Sequence, residues 1–195
     1  RYFAKYNKQK RTFEALTELI QETADDIQYL ESISNALDIA LSEADLAQIK
    51  EELMQSGYIR RKHTKKKVKL TSKPMHYISS DGYDMYVGKN NLQNEELTFS
   101  FANGNDWWFH AKGAPGSHVI VKSGGDELPD RTFEEAGRLA AYYSKNRGAD
   151  KVEIDYIQKK HVKKPNGAKP GFVVYYTNYS LVIDSDISNI KNVQD

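Results

Sequence analysis

From Phe13 onward, apolar side chains return at alternating three- and four-residue intervals, at Phe13, Leu16, Ile20, Ile27, Leu30, Leu37 and Leu41, with Thr23 and Ser34 as weaker members of the same series. A 3.5-residue repeat held over four heptads, with no Gly or Pro between positions 1 and 56, predicts a long helix of coiled-coil type. One such stripe cannot bury itself, so it calls for a partner helix, either a second copy of the chain or a neighbour; the plainer reading lays the helix on this chain's own body. Ser42-Glu43-Ala44-Asp45 has the form of a capping box. It predicts a break near Leu41 and a short second helix whose apolar positions are Leu46, Ile49 and Leu53, ended by a left-handed cap at Gly57.

After Pro74 the period shortens. Tyr83, Met85 and Val87 alternate, as do Leu97, Phe99 and Phe101, and both runs are bounded by Gly and Asn turn residues, which predicts strands. Trp107 to His110 and His118 to Lys122 read as two more strands around Gly113-Ala114-Pro115-Gly116, with Trp107 and Trp108 on opposite faces and one of them buried. Thr132 to Glu135 resembles another capping box, ahead of a helix carrying Ala136, Leu139, Ala140 and Tyr143 and closed by Gly148. Val152 to Ile157, Phe172 to Tyr176 and Ser180 to Ile183 complete the strands, the last two as a hairpin around Thr177-Asn178-Tyr179. Strands on both sides of one main helix predict an α+β fold: a long helical arm (1–57), a linker (58–74), and a mixed or antiparallel sheet domain packed on one helix (75–195).

Charge sharpens this division. Residues 1–57 hold six Lys/Arg against eleven Asp/Glu, and residues 58–195 hold twenty-two against sixteen. Two segments carry most of the excess: Arg60 to Lys73, with eight cations in fourteen residues and no acid, and Gln158 to Gly171, a Pro/Gly-turned loop with five lysines and His161. Clustered cations are usually a solvated surface; their functional alternative is phosphate binding, since they release counterions from a polyanion. With no cysteine there is neither disulfide nor thiolate metal site, which fits a cytoplasmic protein. No apolar run approaches membrane-spanning length, no secretory signal opens the chain, and the opening Arg1 suggests a piece of a longer protein.

Enzymatic readings fare poorly. Ser117 and His118 are neighbours in a predicted strand and point to opposite faces, and no G-x-S-x-G turn is present. A metal set of His110, His118 and His161 lacks any H-x-E or H-E-x-x-H companion, and no Walker loop occurs. Gly171 to Tyr175 matches an RNA-recognition strand only weakly. Neither catalysis nor a cofactor is expected. Lysine-rich loops beside aromatics suit a structured RNA, with phosphates supplying affinity and rings stacking on unpaired bases.

Several blocks in order resemble the NFACT family: Asp106 to Ile120 (DWWFHAKGAPGSHVI), Gly88 to Asn94 (GKNNLQN), Leu139 to Arg147, Lys163 to Gly171 (KKPNGAKPG), and the opening RYFAKYNK, which is similar to the start of its second coiled-coil helix. The family includes the bacterial ribosome quality-control factor, known also as a fibronectin-binding protein. The resemblance implies an RNA-binding domain that engages the large ribosomal subunit obstructed by peptidyl-tRNA, with recruitment of alanyl-tRNA for C-terminal tailing. It further implies that the N-terminal, helix-hairpin-helix and middle domains and the first coiled-coil helix lie outside this chain. Lys163, Lys164 and Lys169 are then the expected phosphate contacts and Lys89 and Lys112 lesser ones, with His110, Ser117, His118 and Trp107 shaping the adjoining surface. Self-association through the arm and binding of fibronectin at the cell surface are the alternative partner readings. Departures from the family pattern include the doubled Trp107 and Gly137, which weakens its helix by up to about 1 kcal/mol unless it allows close packing.

Overall fold

The computed structural model describes residues 2–60 and 72–193; most of the basic run from Arg60 to Lys73 lies outside the described residues. The chain divides into two units, one up to Glu31 and one from Ser32. Helix α1 is Tyr2–Ile39 and α2 is Glu43–Gln55. The break between them is the expected one: the Ser42 side chain accepts from the Asp45 N–H, and the Asp45 carboxylate accepts from the Ser42 N–H. Gly57 takes φ +82°, the left-handed value that ends α2.

Along α1 the heptad stripe stays in solvent: Phe13 is 71% exposed, Ile20 67% and Ile27 56%. In the last turns, which belong to the second unit, Ile33, Asn35, Ala36 and Ile39 are the buried positions while Leu37 faces water. Helix α2 departs further from its apolar pattern. Its inner face is Asp45, Gln48, Ile49 and Glu52, and Leu46 is exposed.

The body is one antiparallel seven-stranded sheet in the order β6-β5-β3-β4-β2-β1-β7. Its strands are β1 (Met75–Ile78), β2 (Asp84–Val87), β3 (Trp107–Ala111), β4 (Val119–Val121), β5 (Val152–Gln158), β6 (Tyr179–Ile183) and β7 (Lys191–Asn192). One face, bearing Tyr77, Met85, Val87, Phe109, Val119, Val121 and Ile154, packs on α4 (Asp130–Tyr142) through Ala136, Leu139 and Ala140. The opposite face holds a smaller core of Trp108, Ile120 and Ile157 beneath Leu97, Ala102 and Val162. Trp107 and Trp108 therefore do face opposite sides. Trp108 is fully buried, and Trp107 lies edge-on to Phe133 on the α4 side.

Four local expectations are corrected. Leu97, Phe99 and Phe101 are not a strand: α3 (Asn91–Glu96), capped by Asn90, runs into a π-helical turn at Leu97–Phe101. The Ala102 N–H bonds to the Leu97 carbonyl at 2.9 Å, so residues five apart share one side, a spacing that alternation cannot reveal. Thr132 and Glu135 do not form a capping box, because α4 starts earlier, after Pro129. Instead Thr132 donates to Asp81, and the Glu135 carboxylate accepts from the Ser80 N–H at 2.8 Å, tying the β1–β2 turn to the helix. That helix closes at Tyr142, short of Gly148. Phe172 to Tyr176 and β6 make no hairpin. Strand β6 occupies the edge of β5, and 172–176 lies across the basic loop through a single bridge, Lys163 to Val174. Gly137 does serve close packing: a Cβ there would lie 2.9 Å from Leu181 of β6.

Candidate nucleic-acid interface

The loop after β5 begins as a 3-10 turn at Lys159–His161, held by Lys159 N–H to Asp106 O (2.8 Å) and Lys160 N–H to Gly104 O (3.0 Å). It is pinned again by the paired bonds between Lys163 and Val174, at 2.9 and 2.8 Å. Val162, Val173 and Tyr175 drive it onto the smaller core, and the Tyr175 hydroxyl donates to Asp155 at 2.8 Å. Burial and that carboxylate push the Tyr175 hydroxyl well above its ordinary pKa. The loop's cations thus stand on an anchored backbone rather than on a loose linker.

Its lysines differ in how free they are. Lys164 makes two 2.7 Å contacts with Glu95, and Lys169 reaches the Tyr58 hydroxyl at 3.0 Å with its ammonium 5.3 Å from that ring's centre. Lys160, His161 and Lys163 are exposed and have no side-chain partner among the described residues. Lys159 lies over Phe99, 5.8 Å from its ring centre. Lys112 is exposed but paired with Glu153.

Lys89 has a different task. Its ammonium sits 3.1 Å from the Asp45 carboxylate, with the two side chains 11% and 1% exposed. Burial pulls the Asp45 carboxyl upward, but bonds from Ser72, the Leu41 N–H and Lys89 together leave it below its ordinary pKa. Around this pair, Asn90 and Gln93 donate to the Gln48 side-chain oxygen at 2.8 and 2.7 Å, Gln93 also donates to Ser72, and Asn91 donates to Glu52 at 2.8 Å. The block from Gly88 to Asn94 is therefore a buried polar seam that docks α2 on α3. Buried polar groups that meet specific partners favour one register of docking.

The two histidines of the Asp106–Ile120 block are structural neighbours, with ring centres 5.5 Å apart. His118 is buried, its Nδ1 lies 2.7 Å from Thr98 Oγ1, and its own N–H donates to Asn94 Oδ1 at 3.0 Å. Burial and the neighbouring His110 hold the His118 imidazole well below its usual pKa. Burial likewise lowers His110, to about 4, against the opposing pull of the Gly116 carbonyl and Asp155. Both are neutral near pH 7 and offer a phosphate no charge. Ser117 is 1% exposed, so with His118 it supports the surface from below instead of forming it.

What the reading of the sequence missed was Phe101 and its surroundings. Phe101 is 42% exposed, stands edge-on to Tyr86 (4.7 Å between ring centres), and carries the Lys122 ammonium 4.8 Å from its own ring centre. Tyr86 in turn stacks on His76 at 4.5 Å and 2°. Its signal was the wrongly assigned strand, which hid an exposed aromatic at the end of a helical turn.

An antiparallel sheet with a helix on one face, and an anchored cationic loop beside exposed rings on the other, is an α+β domain whose basic side suits a polyanion such as a nucleic acid. The comparisons agree. Residues 73–177 match the NFACT protein RNA binding domain, and residues 1–72 match the NFACT N-terminal and middle domains, which corrects the expectation that those domains lie wholly outside this chain. The chain belongs to the NFACT family. It is 44% identical over its whole length to the Rqc2 homolog RqcH of Streptococcus pneumoniae and 39% identical over 97% of its length to that of Bacillus subtilis. It spans 35% and 33% of those two relatives. The solved C-terminal part of the fibronectin/fibrinogen-binding protein from Streptococcus suis superposes with a TM-score of 0.88 at 43% identity, covering 96% of this chain and 75% of that one.

Proposed function

We propose that this chain is the RNA-binding portion of a cytoplasmic ribosome quality-control factor, one that engages large subunits obstructed by peptidyl-tRNA and supports tRNA recruitment for C-terminal alanine tailing. The observation that carries the reading is the set of exposed basic side chains, Lys160, His161 and Lys163, on a backbone held at both ends. Fixed cations gain affinity for phosphate by releasing its counterions without first ordering a loop. The names of the relatives point to the same process, and no helix of the described residues is long and apolar enough to cross a membrane. Fibronectin binding draws its support from the name of one solved relative, and no contact surface among the described residues favours it.

The test is co-sedimentation of the chain with large subunits carrying or lacking peptidyl-tRNA, across a salt series. Specific engagement predicts tighter binding to the obstructed subunit. Lys160→Ala with Lys163→Ala should weaken it and lower the salt slope by about 0.7–0.9 for each phosphate no longer neutralised. Lys164→Ala, whose ammonium is already spent on Glu95, should do less. Equal sedimentation by wild type and the Lys160/Lys163 double variant at every salt concentration overturns the assignment.

A further inference from the structure

Phe101 ends a π-helical turn whose neighbouring residues are anchored: Leu97 and Ala102 are buried in the smaller core, with Ala102 bonded back to Leu97. The ring is consequently held in place although it is 42% exposed. On one side it makes a T-shaped contact with Tyr86, which His76 backs by parallel stacking. One cation is in contact with it: Lys122 lies over the ring. The loop that carries Lys159 and Lys160 is tied to the segment just after Phe101, through their N–H bonds to the Asp106 and Gly104 carbonyls, and the Lys159 ammonium lies over Phe99. Two carboxylates are also near: Asp106 takes the charge of Lys122, and Asp84 sits 2.7 Å from His76. That leaves Lys159 and Lys160 as the cations without a carboxylate partner among the described residues.

We propose that Phe101, backed by Tyr86 and His76 and in contact with Lys122, is a stacking seat for an unpaired base of single-stranded RNA, whose flanking phosphates reach Lys159 and Lys160 on the loop tied to Gly104 and Asp106. This rests on the RNA-binding reading and adds to it the form of RNA and the ring that selects it. A preorganised ring accepts any base face with little loss of side-chain entropy, and adjoining ammonium groups neutralise the backbone of the same nucleotide. A paired base in an A-form helix cannot use the seat, because its faces are already covered by its neighbours.

The experiment measures fluorescence anisotropy of the 195-residue chain with a labelled twelve-nucleotide single-stranded RNA and with the same RNA annealed to its complement. Phe101→Ala should weaken single-strand binding about 5- to 100-fold, the range for loss of one aromatic stacking partner, with less than about a twofold effect on the duplex. Its salt slope should be unchanged, whereas Lys160→Ala should lower the slope on both ligands. Phe101→Trp should keep single-strand affinity. Phe101→Leu, which retains apolar bulk, should lose most of it and stands in should Phe101→Ala fail to fold. A Phe101→Ala or Phe101→Leu chain that binds the single strand like wild type overturns the seat and leaves the RNA reading standing, as does equal weakening on strand and duplex. A wild-type chain that binds neither RNA overturns both. Competition by an acidic peptide as effective as that by RNA, insensitive to Phe101, reduces the surface to charge alone and also overturns the seat.

Discussion

Gly88→Ala is a one-methyl change that should loosen the join between α3 and the sheet. Gly88 opens the polar seam, and its N–H donates to the His118 carbonyl at 3.1 Å. A Cβ at this position would fall 2.1 Å from Asn94 Oδ1 and 2.9 Å from the Asn94 backbone nitrogen. The side chain could swing away; the backbone nitrogen, bonded to Asn90 O at 2.9 Å in α3, cannot move without that helix. Moving Asn94 Oδ1 strips the buried His118 N–H of its acceptor and weakens the 3.3 Å bond from Asn94 Nδ2 to the Gly116 carbonyl. An orphaned buried donor costs about 1–3 kcal/mol and overpacking a further ~1–3, so the expected loss is about 2–6 kcal/mol. For a chain of this size that lowers the melting temperature by roughly 4–24 °C. Urea and thermal unfolding of Gly88→Ala, Asn94→Ala and the double variant measure it, and the two changes should be strongly non-additive because they act on the same hydrogen bond. A loss below about 0.5 kcal/mol for Gly88→Ala, or simple additivity, would refute the reasoning. Gly82→Ala makes a useful contrast: φ is +89° with open space around the Cβ, so only backbone strain of about 1 kcal/mol is expected.

Lys89→Ala removes the ammonium from a carboxylate that is 1% exposed and should cost about 3–5 kcal/mol in urea unfolding, with much of it recovered on adding Asp45→Asn; a cost under about 1 kcal/mol would show that the pair is not a buried one. The histidines predict acid sensitivity. Their folded-state pKa values lie below the unfolded ~6.5, so the unfolded chain binds more protons and stability, complete above that pH, falls as pH drops toward the folded value of about 4 for His110. The His110 contribution is at most about 3 kcal/mol, since the residue as a whole is only half-buried, and an imidazole proton resonance of His110 or His118 titrating near pH 6.5 in the folded chain would contradict it.

The elements most legible in the sequence were those whose physics is local. The Ser42–Asp45 capping box set the start of α2, the alternation at Met85 and Val87 marked β2, and the opposite facing of Trp107 and Trp108 followed from strand geometry alone. The lysines of the loop after β5 stood out by composition. Which of them are available was decided by residues distant in the chain: Glu95 engages Lys164 and Tyr58 meets Lys169, leaving Lys160 and Lys163 open. The same holds for Lys89, whose partner Asp45 comes from another helix, and for the inner face of α2, where Asp45, Gln48 and Glu52 are buried in place of Leu46. Periodicity reports which positions are apolar, and a seam closed by amides and an ion pair has no such signature. Leu97 to Phe101 shows the limit most plainly, since alternating residues serve a strand or a π-helical turn equally well until a core exists to take Leu97 and Ala102 and leave Phe101 outside. Local propensity, capping and charge were thus written along the chain. The pairing of distant charges, and the choice of which ring meets solvent, came only when the sheet and α3 were packed together, because burial is a property of the assembled layers.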